Sequence, residues 1–168
     1  MPGDQTEPES VTYRPIGVIH SPFKQKTGTP IQGIFARDAE GTVEVFEEYV
    51  EGLADLELFS HVYLLYAFDR AEGGSLTCAP FLDGRPHGVF ATRAPRRPNA
   101  IGLSIVRVLS REGATIRVAE IDVLDQTPLL DIKPYVPQFD LRSEASSGWV
   151  KTEGGKAVAD GADDRFGR

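Results

Sequence analysis

Short β-rich segments, separated by turns rich in proline and glycine, recur along this 168-residue chain. The most apolar is HVYLLYAF (61–68), whose length and aromatic content predict a central buried strand. Segments 103–111 and 115–123 alternate apolar and polar residues around a turn at 112–114, which predicts a β-hairpin. No strand is followed by a glycine fingerprint and a long amphipathic helix, which argues against a Rossmann-type nucleotide site. We therefore predict a mainly β, single-domain β-barrel with few short helices.

The remaining segments complete this organisation. Further strands are expected in the runs 11–20 (interrupted by Pro15), 41–46, 88–92 and 129–135, with a long loop at 21–33. We expect a flexible lead at 1–10, the barrel domain at 11–142 and a polar tail at 143–168. The tail is expected to hold at most one helical turn, near 156–162, and Trp149 is the residue in it that could pin it to another surface.

The strand predicted at 88–92 leads into the most unusual stretch, GVFATRAPRRPNAIGL (88–103). It places Arg93, Arg96 and Arg97 within five residues, and its two prolines interrupt regular secondary structure. Three guanidinium groups cannot be buried without partners, so a loop that holds them at a fixed place is suited to an anionic or planar ligand.

Charge is distributed unevenly along the chain. The formal net charge is −7, which argues against binding nucleic acid through bulk positive charge. Residues 36–57 hold eight acidic side chains and one arginine. Residues 85–97, in contrast, hold four arginines and no acidic side chain. A local basic patch of this kind is compatible with contact to one structured RNA feature.

Composition also sets aside several classes of protein. A single cysteine, Cys78, excludes an internal disulfide, and the three scattered histidines show no zinc-ligand spacing, so no metal is expected. No stretch has the apolar length of a membrane span. The acidic N-terminus does not resemble a signal peptide, and we expect a cytoplasmic protein.

Five segments together resemble one known family, the TsaA/YaeB-like proteins, which include the TrmO-type tRNA methyltransferases. They run in the family's order, and they are IGVIHSPF (16–23), LELFSHVYLLYAFDR (56–70), EGG (72–74), GVFATRAPRRPNAIGLS (88–104) and EIDVLDQTPLLDIKPYVP (120–137). The resemblance implies a non-Rossmann β-barrel that binds S-adenosylmethionine, acts as a homodimer, and methylates the exocyclic N6 amine of a threonylcarbamoyl-adenosine beside the anticodon of a tRNA.

The resemblance also implies a set of cofactor-binding residues at matching positions. They are Pro30, Gln32, Gly33, Ile34, Asp69, Arg70, Arg93, Leu103, Glu120, Ile121 and Asp122. Two positions depart from the family pattern, because Gln126 replaces a usual glycine and Ala100 replaces a common proline. We expect a short form without the additional C-terminal domain of longer bacterial members.

Methyl transfer to an adenine amine needs alignment and an acceptor for the amine proton. Asp122 or Asp125 is the candidate catalytic acceptor; the alternative is that each aspartate bonds its own turn. Candidate substrate or RNA contacts are Arg96, Arg97, Asn99, Lys133 and Tyr135. For these the alternatives are a rigid turn at 97–99, a surface ion pair between Asp131 and Lys133, and an interface role for Tyr135.

Three functions remain open at the level of sequence. The first is a methyltransferase that acts on tRNA. The second is a module that binds S-adenosylmethionine as a sensor or regulator without catalysis, which the net acidity favours. The third is a methyltransferase for a small molecule, whose turnover would not depend on intact RNA.

Overall fold

A computed structural model describes residues 10–80 and 84–150. Its strands are β1 (Gly17–His20), β2 (Glu40–Val45), β3 (His61–Ala67), β4 (Thr77–Cys78), β5 (His87–Gly88), β6 (Ile101–Glu112), β7 (Thr115–Ala119) and β8 (Thr127–Pro134). Short 3-10 helices cover Gly33–Phe35, Glu47–Leu53, Leu56–Leu58 and Val89–Ala91, and one short α-helix, α1, covers Pro137–Asp140. The helical turn expected at 156–162 lies outside the described residues.

Six strands close into a barrel in the order β1-β2-β7-β6-β3-β8, and all neighbouring pairs are antiparallel. Strands β4 and β5 form a separate two-stranded ribbon. This confirms the predicted mainly β barrel with few short helices. Alternate residues of the barrel strands point inward and form the core, which includes Ile19, Val43, Val62, Leu64, Val106, Ile116, Val118 and Leu129.

The predicted hairpin is present, but its second strand is shorter than the sequence pattern indicated. Glu112 pairs with Thr115, and Gly113 turns the chain with a φ of 56°. Strand β7 ends at Ala119, and the next residue, Glu120, has a φ of 67°. A left-handed residue cannot continue a strand, so the prediction of a strand through residue 123 was wrong.

The prediction of a strand at 88–92 was also wrong for most of its length. Only Gly88 belongs to a strand, and Val89–Ala91 form a 3-10 turn. The backbone N–H and the hydroxyl of Thr92 both donate to the Val89 carbonyl, which closes this turn. The run predicted at 11–20 forms a strand only from Gly17 onward, consistent with the interruption by Pro15.

The barrel has two chemically different ends. At one end lie the first loop (residues 21–39), the connection from β3 to β6 with its arginine loop (residues 92–100), and the Asp122 connection (residues 120–126). At the other end lie the acidic 3-10 helices of segment 46–60, the β6–β7 turn and α1. Within the described residues, no helix is long and apolar enough to cross a membrane.

Candidate functional site

Three hydrogen bonds join the segments that meet at the first of these barrel ends. Asp122 accepts from the backbone N–H of Gly33 at 2.8 Å, which ties the Asp122 connection to the first loop. Arg93 donates to the side-chain oxygen of Gln32 at 2.6 Å, which ties the arginine loop to the same loop. Arg70, just beyond β3, donates to the backbone carbonyl of Asp125. These contacts link positions more than fifty residues apart in the chain.

Asp122 is the most perturbed carboxyl group of the site. Its second oxygen accepts from the Ser104 hydroxyl at 2.5 Å, and Ser104 lies 3.0 Å from the buried Tyr66 hydroxyl. Burial raises the pKa of Asp122 from 3.8 to about 6, although bonds from Ser104 and Gly33 and the charge of Arg93 oppose the rise. Burial likewise raises the pKa of Tyr66, so its hydroxyl stays protonated. Asp122 is therefore a partly buried carboxyl that can exchange a proton near neutral pH.

Asp125 differs from Asp122 in its surroundings. It forms an ion pair with Lys24 and accepts the Ser21 N–H at 3.0 Å, so it fastens the start of the first loop. The hydrogen bond from Lys24 lowers the pKa of Asp125. A carboxylate held in its charged form by a lysine is a poor proton acceptor, so the geometry favours Asp122 over Asp125 for that role.

Gly33 explains how the first loop approaches the barrel so closely. A Cβ built on Gly33 would lie 2.1 Å from the carbonyl oxygen of Glu120. Only glycine allows this contact, which places the Gly33 N–H against Asp122. Beside it, Ile34 is 58% exposed, and Pro30 and Gln32 are partly buried.

The arginine loop is held largely by backbone carbonyls. Arg97 donates to the carbonyls of Thr92 at 3.0 Å and Ala94 at 3.4 Å, and Arg96 donates to the carbonyl of Glu72 at 2.9 Å. The Asn99 carbonyl accepts the Ile101 N–H at 2.7 Å, which leads the chain into β6. The neutral acceptors of Arg97 fix the direction of its guanidinium group without cancelling its charge.

Other residues expected at the site are distributed as follows. Asp69 and Arg70 are adjacent, with Asp69 40% exposed. Leu103 is 45% exposed because it points outward from β6, whereas Ile121 is fully buried and serves the core.

Lys133 and Tyr135 are not brought together with the arginine loop. Lys133 pairs with Tyr63 in the β3–β8 ladder, about 13 Å along β3 from Ala67, next to which the arginine loop enters β6. Its ammonium bonds Asp131 at 2.8 Å on the surface, as the alternative interpretation expected. Tyr135 packs against Tyr63 and His61 at the opposite end of the barrel. An RNA role for either residue stays a prediction.

Sequence reasoning did not single out Ser104 or Tyr66. Both lie on the inward face of a strand, in register with apolar core residues. The sequence did hold one indication of these residues, a serine at an inward position of an apolar strand. A buried hydroxyl needs a polar partner, so such a serine predicts a polar group beside it. Among residues 10–80 and 84–150, no cluster of three or more histidine, cysteine or acidic side chains is placed to hold a metal.

Comparison with known proteins gives a consistent result. Residues 18–141 match the family model described as the tRNA-methyltransferase O N-terminal domain. A probable S-adenosyl-L-methionine-binding protein of Pyrococcus abyssi is 52% identical over 159 residues, which cover 95% of this chain and 86% of that protein. The human tRNA (adenine(37)-N6)-methyltransferase is 37% identical over 80% of this chain, which spans only 32% of the human protein.

The fold comparison agrees. A crystal structure of TrmO from Pseudomonas aeruginosa superposes with a TM-score of 0.72 and 41% identity, covering 84% of this chain and 63% of that one. The matched residues run from within β1 to just after α1, and so include the whole candidate site. The chain therefore belongs to the family of the tRNA-methyltransferase O N-terminal domain.

Proposed function

We propose that this protein is an S-adenosylmethionine-dependent methyltransferase that acts on the exocyclic N6 amine of an adenosine, or threonylcarbamoyl-adenosine, beside the anticodon of a tRNA. One observation carries the proposal. The bonds Gly33–Asp122, Arg93–Gln32 and Arg70–Asp125 assemble the segments expected to bind the cofactor at one barrel end. The names of its relatives, which include an S-adenosyl-L-methionine-binding protein and tRNA adenine methyltransferases, support the same activity.

The residues at this end fit the chemical groups of the cofactor. S-adenosylmethionine carries a carboxylate, an ammonium group, an adenine ring and the sulfonium that supplies the methyl group. Arg93 offers a guanidinium for a carboxylate, and Asp69, which is 40% exposed and lies 3.8 Å from the Arg70 guanidinium, offers a carboxylate for a cationic group. Ile34 and Leu103 expose apolar surface suited to an adenine ring.

The protein's own contribution to methyl transfer is alignment and proton acceptance. Holding the amine in line with the methyl group supplies up to roughly 7–11 kcal/mol in favourable cases. Asp122 is the group we assign as proton acceptor, because its pKa of about 6 is close to the working pH. Its two oxygens accept from Gly33 and Ser104, and a carboxylate has lone pairs for further donors.

Charge polarity supports an RNA substrate despite the net negative charge. The arginine loop lies at the same barrel end as Asp122, whereas the acidic 3-10 helix Glu47–Leu53 lies at the other. A phosphate backbone would meet Arg96 and Arg97 at the site and would avoid the acidic end.

We also propose that two copies of the chain form a homodimer. Ile101, Leu103 and Ile105 alternate along the outer face of β6 and are each 42–45% exposed. They pair with Ala67, Leu65 and Tyr63 of β3, so the apolar strip is two strands wide. Two surface grooves, one beside Tyr49 and Ile132 and the other beside Lys24 and Gln126, are lined by none of Arg93, Ile34 and Leu103. A second copy packed on this strip would enclose a cofactor surface that one copy leaves open.

Methyl transfer from labelled S-adenosylmethionine into total tRNA, taken from cells lacking the gene, tests the function. We expect label in RNA, and we expect ribonuclease treatment of the tRNA to abolish the transfer. Transfer that survives ribonuclease would favour a small-molecule substrate instead.

A sensor without catalysis is the second candidate, favoured by the net charge of −7. It predicts cofactor binding in calorimetry with no methyl transfer to any fraction of the RNA. A methyltransferase must consume the cofactor when RNA is present, so the two functions are separated by cofactor turnover.

A further inference from the structure

Phe90 is displayed to solvent at the edge of the proposed site. It is 76% exposed, although Val89 beside it is 1% exposed and packs inward. Phe90 is the middle residue of the 3-10 turn Val89–Ala91, three residues before Arg93. Its Cα therefore lies within about 11 Å of the Arg93 Cα, because consecutive Cα atoms are 3.8 Å apart.

The turn that carries Phe90 is fixed on both sides. Val89 donates its backbone N–H to the Leu76 carbonyl at 2.9 Å, and Thr92 closes the turn onto the Val89 carbonyl. From the C-terminal side, the Trp149 indole donates to the Ala91 carbonyl at 2.8 Å, and its ring stacks on His87 with centroids 4.4 Å apart. An aromatic side chain on so constrained a turn loses little backbone entropy when it binds a flat partner.

The charge of the segment that carries Phe90 favours an anionic partner. Residues 85–97 contain four arginines and no acidic residue. The hydrogen bonds of Arg97 go to the backbone carbonyls of Thr92 and Ala94, which are neutral acceptors, so these bonds do not cancel its charge. An exposed ring in a segment rich in arginine is a combination suited to single-stranded nucleic acid, with bases stacked on the ring and phosphates held by arginine.

We propose that Phe90 is a stacking platform for an unpaired base of the RNA substrate, next to the nucleotide that is methylated, with Arg97 holding the neighbouring phosphate. This inference rests on the proposed function and adds the element that holds the single-stranded part of the RNA. A second copy of the chain is a poorer partner for this surface. A two-fold contact centred on Phe90 would bring the arginine loop against its own copy, and like charges would face each other.

The test uses a hairpin RNA with the fluorescent base 2-aminopurine in its single-stranded loop, bound to the full-length protein. We expect the wild-type protein to quench the fluorescence by stacking. The Phe90→Ala variant is expected to lose the quenching and to bind the hairpin about tenfold more weakly or worse. Phe90→Tyr keeps the ring and should restore both signals.

Phe139→Ala is the matched control. Phe139 is 70% exposed but belongs to α1, at the opposite end of the barrel. We expect this variant to bind the hairpin as the wild type does. For all variants, cofactor affinity by calorimetry and mass by light scattering should stay unchanged.

Each other outcome overturns the inference in a distinguishable way. If Phe90→Ala binds and quenches like the wild type while the wild type methylates tRNA, the stacking role is wrong and the proposed function survives. If Phe90→Ala changes the oligomeric mass, the surface belongs to a contact between copies. If the wild type neither binds the hairpin nor methylates RNA, both the inference and the proposed function are wrong.

Discussion

At the scale of single residues, Asp122 makes the stability of the protein depend on pH. Its pKa of about 6 in the folded protein lies above its ordinary value of 3.8, so the folded state binds the proton more tightly. The contribution of this group to stability is therefore most favourable below about pH 4 and falls as the pH rises to about 6. Above that pH the charged, partly buried carboxyl costs about 3 kcal/mol.

Asp122→Asn should remove this dependence while keeping the shape of the side chain. We expect the free energy of unfolding in urea to fall less between pH 4 and pH 7 in the variant than in the wild type. The comparison between the two proteins cancels the titration of other groups, including Asp125, whose pKa is lowered. Equal pH dependence in both proteins would show that Asp122 is not perturbed.

Gly33 provides a second test at this scale. In Gly33→Ala the new Cβ would lie 2.1 Å from the Glu120 carbonyl oxygen, so the first loop must move away and the bond to Asp122 is lost. We expect cofactor binding in calorimetry to weaken by about tenfold or more, because the displaced loop carries Gln32 and Ile34 away from the site and a loss of about 1.4 kcal/mol is tenfold in affinity.

Gly52→Ala is the control for this substitution. A Cβ on Gly52 meets no atom within 4 Å, and Gly52 lies in the 3-10 helix at the opposite end of the barrel. The cofactor affinity of the Gly52→Ala variant should equal that of the wild type. An unchanged affinity in Gly33→Ala as well would mean that the first loop does not form part of the cofactor site.

At the scale of elements, the arginine loop is expected to bind two ligands, the cofactor through Arg93 and the tRNA through Arg96 and Arg97. Arg93→Ala removes the guanidinium that bonds Gln32, and we expect cofactor affinity in calorimetry to fall by about tenfold or more. Arg142→Ala, which removes an arginine bonded to the carbonyls of Phe139 and Leu141 near α1, should leave the affinity unchanged. Equal affinities in both variants would contradict the cofactor assignment of Arg93.

Arg96→Ala combined with Arg97→Ala is expected to act on the other ligand. It should weaken tRNA binding more than cofactor binding and should flatten the dependence of RNA affinity on salt, because fewer counterions are released. The measurement is a filter-binding titration at several salt concentrations. Equal losses for both ligands would instead indicate that the loop, which Arg97 braces through the carbonyls of Thr92 and Ala94, has misfolded.

The elements predicted correctly are those defined by local pattern. Strand β3 and the β6–β7 hairpin follow from alternation and a glycine turn, which neighbouring residues determine. The turn at Val89–Ala91 was missed because it depends on the Leu76 carbonyl and on the Thr92 hydroxyl. Strand β7 ends early because Glu120 adopts a left-handed backbone conformation. A glutamate in the sequence does not indicate such a conformation.

Geometry within the site could be predicted from sequence only in part. The arginine loop could be predicted as a ligand-binding loop because its three arginines lie close together in the sequence. The partners of Asp122 could not be inferred in the same way, since Gly33 is 89 positions away and Ser104 lies on β6, 18 positions before Asp122. Such contacts arise from the closure of the barrel, which brings the ends of β1, β6 and β7 to one place.

At the scale of the whole molecule, the apolar strip on β6 predicts the oligomeric state. Ile105→Glu places a charge on this strip and should convert a dimer into monomers with reduced methyl transfer, as measured by light scattering and a transfer assay. Leu58→Glu is the control, because Leu58 is 78% exposed in a 3-10 helix at the acidic end. A monomeric wild-type protein would contradict the proposed homodimer.

We propose that this barrel end transfers a methyl group to an adenosine amine of tRNA. The most direct measurement is mass spectrometry of nucleosides from total tRNA of cells lacking the gene, after incubation with the protein and S-adenosylmethionine. We expect one adenosine-derived nucleoside to gain a methyl group on N6, and a much smaller gain with Asp122→Asn or Arg93→Ala at the same cofactor concentration. Unmodified nucleosides, in the presence of a protein that demonstrably binds the cofactor, would contradict the claim and favour the sensor.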